Sequence, residues 1–253
     1  IIMISLAIPF YNTSRYFKDA VSSSINNDFV SEIVVTDDGS TDQEWDNINN
    51  IINDSGSDKF KLYRNEHNLG GFKNKYKTVE NSTSDWVYLL DSDNHPNDNT
   101  LNVIESLGEL DPNICYSPFS LLLHKDFETE PYDIVSYDFG YDLISMHEAQ
   151  DALLKKTKYF DWFLNTGNFV FNRQKYLERM YDSYTNNEKT AAADVCAFSY
   201  HWLRDNGLYK IVPDMKYFHR VRSDSYWVSE ASSSQPLSDS YHNKIIDLEG
   251  YND

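Results

Sequence analysis

Two aspartates one residue apart, Asp91 and Asp93, follow directly after the apolar run of residues 86–90. A run of this length and composition is typical of a buried strand, so both carboxylates are expected at its C-terminal end. A carboxylate pair at one point can hold a hard divalent cation, and that cation can hold a diphosphate. Asp37 and Asp38 follow another apolar run in the same way. Two acidic strand ends predict a ligand site rather than a solvated surface.

An EF-hand calcium loop also opens with two aspartates at this spacing, but the residues after Asp93 do not fit it. His95 stands at the fifth position, Pro96 replaces the required glycine, and Asn102 replaces the bidentate glutamate. The aspartate pair therefore favours a metal site that serves a phosphate-bearing ligand.

The composition is that of a globular protein, with 40% hydrophobic and 15% aromatic residues among 253. The net charge of −18 repels a polyanionic backbone, so we expect no nucleic-acid partner. Cys115 and Cys196 are far apart and are expected to be thiols in a reducing compartment. No apolar stretch approaches the roughly 20 residues that span a bilayer. The apolar start lacks a signal-peptide pattern, so the sequence predicts a soluble, cytoplasmic protein.

The first half of the chain alternates strand and helix patterns. Strands are predicted at residues 1–8, 32–36, 59–64 and 85–90, and helices at residues 15–25, 42–52 and 71–79. Repeated units of this kind predict a parallel sheet covered by helices on both faces. Ligands of such sheets bind beyond the carboxyl ends of the strands. We therefore expect the segments 9–12, 37–40, 64–71 and 91–94 to surround one crevice.

The second half is less regular. Helices are predicted at residues 96–110, 148–156, 174–184 and 194–204, and strands at 114–123, 134–137, 169–171, 208–212 and 216–218. Without a clear linker, residues 1–222 are interpreted as one domain. From residue 223 the chain is polar and serine-rich, which predicts a tail or loop over 223–253.

Four segments, residues 7–12, 33–42, 65–71 and 89–93, together resemble the family 2 glycosyltransferases of the GT-A fold. The resemblance implies an α/β protein with a GT-A (Rossmann-like) three-layer α/β/α sandwich and a mostly parallel central sheet. It also implies inverting transfer of a sugar from a nucleoside-diphosphate sugar, with a UDP-sugar as the expected donor and a carbohydrate or glycoconjugate as acceptor. Residues 1–110 would form the nucleotide-binding half and residues 111–222 the acceptor-binding half. Such a protein could lie peripheral to a membrane that bears its acceptor.

The residues that the resemblance assigns to the nucleotide are Pro9, Tyr11, Asp38, Arg64, Lys75, Asp91 and Ser92. Asp38 would accept a hydrogen bond from the uracil; the alternative is a cap on the following helix. Tyr11 would offer a ring face to the base, or could simply be packed. The family often has Ala-Arg-Asn around the position of Lys75, and lysine supplies a point charge without the bidentate fork of arginine. A solvated helix face is the alternative for Lys75.

The resemblance also implies a Mn²⁺ or Mg²⁺ cofactor at the DxD motif, which is Asp91-Ser92-Asp93 in this sequence. Asp93 would ligate the cation directly, whereas Asp91 would contact the ribose or a metal-bound water. His219 could be a third ligand or a structural histidine. Arg222, in a segment similar to a late loop of the family, would contact the diphosphate.

An inverting transfer needs a base that deprotonates the acceptor hydroxyl. The family takes it from an acidic residue that opens a late helix, and Asp194 is the candidate here. Ala193 replaces the acidic partner that often precedes this residue, and a role of Asp194 as helix N-cap is the alternative. Trp162 could stack on a sugar ring or belong to the core.

Two other functions are alternatives. A sugar-phosphate nucleotidyltransferase would need a glycine-rich, basic loop after the first strand, and residues 9–12 offer none. The other alternative is a catalytically inactive GT-A module that binds a nucleotide or glycan as a scaffold. It remains an alternative because Ala193 and Lys75 depart from the residues that the family often has at these positions.

Overall fold

The computed structural model describes residues 2–126, 128 and 130–252. Its strands are β1 (Ile4–Phe10), β2 (Val30–Asp37), β3 (Phe60–Arg64), β4 (Trp86–Leu89), β5 (His95–Pro96), β6 (Ile114–Lys125), β7 (Asp133–Ser136), β8 (Val170–Asn172) and β9 (Leu208–Val221). Its helices are α1 (Ser14–Ser22), α2 (Asp42–Ser55), α3 (Gly71–Asn81), α4 (Thr100–Ser106), α5 (Met146–Leu154), α6 (Phe160–Thr166), α7 (Arg173–Thr185), α8 (Asp194–Arg204), α9 (Tyr226–Ser229) and α10 (Ala231–Ile246).

The described strands form one mixed sheet in the order β3-β2-β1-β4-β8-β6-β9-β5, with β7 paired to β6. The pairs β1–β2, β2–β3, β1–β4 and β6–β9 are parallel and make up most of the paired length. β8 joins the two parallel regions, running antiparallel to both β4 and β6. The predicted mostly parallel sheet is confirmed.

Two hydrophobic cores lie on opposite faces of this sheet. Ile4, Leu6 and Ile8 of β1 point to one face, where α1, α2 and α4 pack. Ala7 points to the other face, toward α3, α7 and α8. Side chains alternate between faces along a strand, so a continuous apolar strand must be covered on both sides. The three-layer α/β/α sandwich predicted from the resemblance is confirmed.

Three predictions of secondary structure differ from the structure. Pro96 belongs to the short strand β5, which pairs with β9, so the helix predicted over 96–110 is shortened to α4. The two strands predicted between 208 and 218 are one strand, β9, with a register irregularity against β6. Helix α6 was not predicted, because its seven residues are too few for a clear helical period. Residue 1, the start of the first predicted strand, lies outside the described residues.

The prediction of a tail or loop over residues 223–253 was wrong. The segment contains α9 and α10, although residue 253 lies outside the described residues. Ser234 and Ser238 of α10 are buried, and the Ser234 hydroxyl accepts a hydrogen bond from the Ala192 amide at 3.0 Å. Small polar side chains let α10 approach the loop before α8 closely.

The division of the domain into two halves at residue 110 stays a prediction. Across the described residues no helix is long and apolar enough to cross a membrane.

Candidate active site

The acidic turns meet where β1, β2 and β4 end. The parallel register places Phe10 beside Asp37, and Leu89 beside Ala7, so these strands finish at the same edge of the sheet. The Asp91 amide donates to the Asn168 side chain at 2.9 Å, which joins the end of β4 to the loop after α6. Residues from both halves of the chain therefore line one crevice, as the topology predicts.

Asp38 is 2% exposed and organises the loop before α3. Its Oδ1 accepts hydrogen bonds from the Leu69 amide at 2.8 Å and the Asn65 side chain at 2.9 Å, and its Oδ2 accepts from the Gly70 amide at 2.9 Å. Burial raises the pKa of Asp38, and these donors oppose the shift. The cap of α2 is Thr41, so the alternative role of Asp38 as a helix cap is wrong. Its contact with a uracil stays a prediction.

Arg64 stabilises the turn that contains Asp37 and Asp38. Its Nε lies 3.1 Å from Asp37 Oδ2, and its Nη2 donates to the Ser40 carbonyl at 2.8 Å and lies 3.1 Å from Asp42 Oδ1. Gly39 in the same turn has φ of 72°, which favours glycine. The described contacts give Arg64 a positioning role, and its contact with the nucleotide stays a prediction.

Lys75 joins the DxD motif to the candidate base. Its Nζ lies 3.1 Å from Asp91 Oδ1 and 2.7 Å from Asp194 Oδ2. Burial lowers the pKa of Lys75, but the two carboxylates outweigh burial and the net pKa is raised. The side chain is 14% exposed, so the alternative of a solvated helix face is wrong. Gly71, one turn earlier on α3, lies near the Asp194 carboxylate, and a Cβ added there would be in ordinary van der Waals contact with it.

Asp194 is the first residue of α8, and its carboxylate is 9% exposed. The N-cap position belongs to Ala193, and Asp194 is directed to Lys75 instead, so the alternative N-cap role is wrong. Burial raises the pKa of Asp194, and the ammonium of Lys75 opposes the shift. A buried carboxylate with one cationic partner is typical of an acid–base group in an active site.

Asp93 is paired with the late segment of the chain. Arg222 Nη2 lies 3.0 Å from Asp93 Oδ2, and Arg222 Nη1 lies 3.3 Å from Asp224 Oδ1. Asp224 also contacts Arg15 at 2.7 Å. Burial raises the pKa of Asp93, whereas the charge of Arg222 lowers it. The structure thus brings Arg222 to Asp93, and the predicted contact of Arg222 with a diphosphate stays a prediction.

The predicted metal set of Asp91, Asp93 and His219 is not assembled as a three-residue site. No three His, Cys, Asp or Glu side chains converge for a metal anywhere in residues 2–126, 128 and 130–252. Burial lowers the pKa of His219 to about 4, and its Nδ1 is buried without a hydrogen-bond partner in the described chain.

The arrangement of Asp91 and Asp93 fits a cation shared with a substrate phosphate better than a cation held by three protein side chains. The ion pairs use Oδ1 of Asp91 and Oδ2 of Asp93, which leaves one oxygen of each carboxylate outside them. Mg²⁺ is commonly bound through one or two carboxylates and substrate phosphates, not by a protein cage. The residues present fit such a cation, and its identity stays a prediction.

The side chains of Tyr11 and Trp162 are both exposed. Tyr11 is 48% exposed beyond the end of β1, and Trp162 is 45% exposed on α6. The alternatives of a packed Tyr11 and a core Trp162 are therefore wrong. Pro9 lies within β1 near the same crevice. Ser92 is buried, and its hydroxyl lies 2.6 Å from that of Thr13, which ties the end of β4 to the start of α1.

Tyr226, on α9, is a residue near the candidate site that was not predicted from the sequence. Burial raises the pKa of its hydroxyl, and the nearby carboxylates of Asp194 and Asp38 add to the shift. The hydroxyl of Tyr226 is therefore within electrostatic range of both Asp194 and Asp38. The aromatic pair at residues 226–227 within a polar, serine-rich stretch was the signal that could have identified it.

A small cavity of about 20 Å³ is lined by the three residues of these ion pairs, Lys75, Asp91 and Asp194. Its polar lining comes from Lys75, Asp91, Asn168 and Asp194, and aliphatic and aromatic residues line the rest. This volume and this lining suit one water molecule.

Similarities to known proteins agree with this geometry. The family described as "Glycosyl transferase family 2" matches residues 5–211. An uncharacterized glycosyltransferase of Haemophilus influenzae is 33% identical over 92 residues, which are 36% of this chain and 36% of that protein. The chain thus spans about a third of the length of this relative.

Two solved structures share the fold at low identity. S. aureus TarS 1-349 in complex with UDP-GlcNAc is 17% identical with a TM-score of 0.61, covering 97% of this chain and 70% of that one. GalNAc-T7 with UDP, GalNAc and Mn²⁺ is 17% identical with a TM-score of 0.66, covering 98% of this chain and 48% of that one. Because the family match runs from β1 into β9, the chain belongs to glycosyl transferase family 2.

Proposed function

We propose that this protein is a metal-assisted, inverting glycosyltransferase that moves a sugar from a UDP-sugar to a hydroxyl of a carbohydrate or glycoconjugate. The observation that carries the proposal is the shared contact of Asp91 and Asp194 with one lysine ammonium. It brings the candidate base and the candidate diphosphate anchor together at one point of the crevice.

The donor would lie along the ends of the parallel strands. In this proposal Asp38, Pro9 and Tyr11 would contact the uridine, and Asp91 and Asp93 would lie on the diphosphate side; their position at one edge of the sheet supports it. A divalent cation bound there would stabilise the charge that develops on the departing diphosphate. Support for UDP comes from the two structural neighbours with bound UDP or UDP-GlcNAc.

Asp194 is the proposed general base. Its carboxylate takes the proton of the acceptor hydroxyl as that oxygen forms a bond to the anomeric carbon. The bond from the anomeric carbon to the diphosphate breaks on the opposite face, and its electron pair leaves with UDP. Burial makes Asp194 a better proton acceptor than a solvated aspartate, and Lys75 keeps it ionised.

The test is release of UDP with Mn²⁺ and a panel of UDP-sugars, compared between the wild type, Asp194→Asn and Asp93→Ala. We expect slow donor hydrolysis in the wild type. Asp194→Asn should lose about 100-fold or more of the turnover, the usual contribution of a general base, while it still binds UDP. Undiminished turnover in Asp194→Asn would place the base elsewhere. UDP binding without any turnover in the wild type would support the inactive, scaffold-type module instead.

A further inference from the structure

The turn between α5 and α6 carries the densest run of cations in the chain. Lys155, Lys156 and Lys158 fall within four residues, in a chain with 22 basic and 40 acidic residues. All three side chains are exposed. We call residues 154–162 the basic turn. A local excess of positive charge on so acidic a protein indicates a surface that meets an anionic partner.

The basic turn also exposes apolar side chains. Leu154 is 61% exposed, the highest fraction for a large hydrophobic residue in the described chain, and Trp162 is 45% exposed. The rings of Tyr159 and Trp162 lie 5.8 Å apart. Single exposed hydrophobic residues are common. A leucine and a tryptophan beside three lysines form the combination found in helices and turns that bind the bilayer interface.

Neighbouring acids neutralise only part of this charge. Lys155 forms an exposed ion pair with Asp151 at 2.7 Å, and Asp161 is exposed at the other end of the turn. Within the described residues no ion pair joins Lys156 or Lys158 to a carboxylate, and the Lys158 ammonium lies 4.5 Å from the centre of the Tyr159 ring. Two cations are therefore available to an external anion.

The basic turn lies close to the candidate active site. Helix α6 leads from it to Gly167, which packs against Val195, and to Asn168, which binds the Asp91 amide. A helix of seven residues is about 10 Å long. A surface bound by the basic turn would thus lie within one short helix of the crevice.

We propose that the basic turn docks this protein on an anionic lipid bilayer. Lys156 and Lys158 pair with lipid phosphates, while Leu154 and Trp162 enter the interface between headgroups and acyl chains. An anionic polymer would occupy the lysines but leave Leu154 in water, so the exposed leucine favours a bilayer. The acidic remainder of the surface opposes docking weakly, because charges farther than about 8 Å are screened at physiological salt. The proposal does not depend on sugar transfer.

Co-sedimentation with vesicles tests the proposal without any sugar donor. Wild-type protein should bind vesicles of equal parts phosphatidylcholine and phosphatidylglycerol, and bind phosphatidylcholine alone much more weakly. Lys156→Gln/Lys158→Gln should weaken binding to the mixed vesicles by about five-fold per lysine. The matched control is Lys18→Gln/Lys61→Gln, which removes two exposed lysines elsewhere on the surface.

The variant Leu154→Ser distinguishes an anionic bilayer from a soluble anionic polymer as the partner. If the partner is a bilayer, Leu154→Ser should lose most of the vesicle binding that remains at high salt, because this salt-resistant binding comes from the apolar side chain. The proposal is overturned if wild-type protein ignores the mixed vesicles, or if the control pair weakens binding as much as the lysines of the basic turn. It is also overturned if soluble polyphosphate competes fully and Leu154→Ser has no effect, since the partner would then be an anionic polymer. UDP binding by each variant checks its folding.

Discussion

The ammonium of Lys75 lies 2.7 Å from a carboxylate oxygen of Asp194, although the two residues are 119 positions apart in the chain. The same ammonium contacts Asp91 at the end of β4. Three elements, α3, α8 and β4, are therefore joined at one buried point. Each charge in this group depends on the others, because a buried ion without its partner is strongly unfavourable.

Replacing Lys75 with methionine should lower the free energy of unfolding by about 3 kcal/mol, since Asp194 would stay buried without its cation. Urea denaturation measures the change. Lys77→Met is the matched control on the same helix, because Lys77 forms a half-exposed ion pair with Glu80 and should cost less than about 1 kcal/mol. Adding Asp194→Asn to Lys75→Met should restore part of the loss; equal stability of Lys75→Met and Lys77→Met would argue against the bridge.

Gly39→Ala should disturb the turn at residues 37–40, which lies at the end of β2. An added Cβ would lie 3.0 Å from the backbone of His67 and Asn68, and φ of 72° is unfavourable for alanine. We expect a loss of about 2 kcal/mol in stability and weaker UDP binding, because Asp38 holds the adjoining loop. Gly56→Ala is the control: its φ is also positive, at 64°, but no atom lies within 4 Å of the added Cβ. In calorimetric titrations the UDP affinity of Gly56→Ala should equal that of the wild type.

Arg222→Gln should separate cation binding from nucleotide binding. Without the guanidinium at 3.0 Å, Asp93 loses its resident positive charge, so Mn²⁺ alone should bind more tightly than to the wild type. UDP in the presence of Mn²⁺ should bind about ten-fold more weakly if Arg222 contacts the diphosphate, the usual value of a charge-assisted hydrogen bond. Calorimetry measures both affinities. Unchanged UDP affinity would limit Arg222 to pairing with Asp93.

The packing of α10 should depend on pH through Glu188. Burial opposes ionisation of Glu188, but hydrogen bonds with His201, Ser183 and Tyr241 lower its pKa to about 2, from 4.5 in the unfolded chain. The ionised form is thus favoured by folding: the stabilisation is complete above pH 4.5 and is lost as the pH falls toward 2. Glu188→Gln should be less stable than the wild type by about 3 kcal/mol at pH 6. Urea denaturation at pH 6 and pH 3 should show this difference shrinking, and a constant difference would contradict it.

The regular first half was predictable because its signals are local. Apolar runs followed by acidic turns placed the ends of β1, β2 and β4, and the parallel topology brought them together. Helix α8 begins and ends at the predicted residues, since its apolar period, its acidic start and the Asn206-Gly207 end all agree.

The remaining features depend on distant partners. The buried serines of α10 are polar in composition, and only the neighbouring loop before α8 explains why they pack. Lys75 likewise has the spacing of a solvated face, and its burial follows from Asp91 and Asp194. A pattern over a few residues does not contain that information.

The hydrogen bond from the Ala192 amide to Ser234 has a consequence for synthesis on the ribosome. The first two strands and their acidic turn leave the ribosome long before α10, but a domain generally folds as a unit. Asp194, two residues after Ala192, acquires its full surroundings only when α10 has left the exit tunnel. A nascent chain released before that point would carry every recognisable motif and still lack a finished crevice, so these motifs alone do not make a truncated product competent.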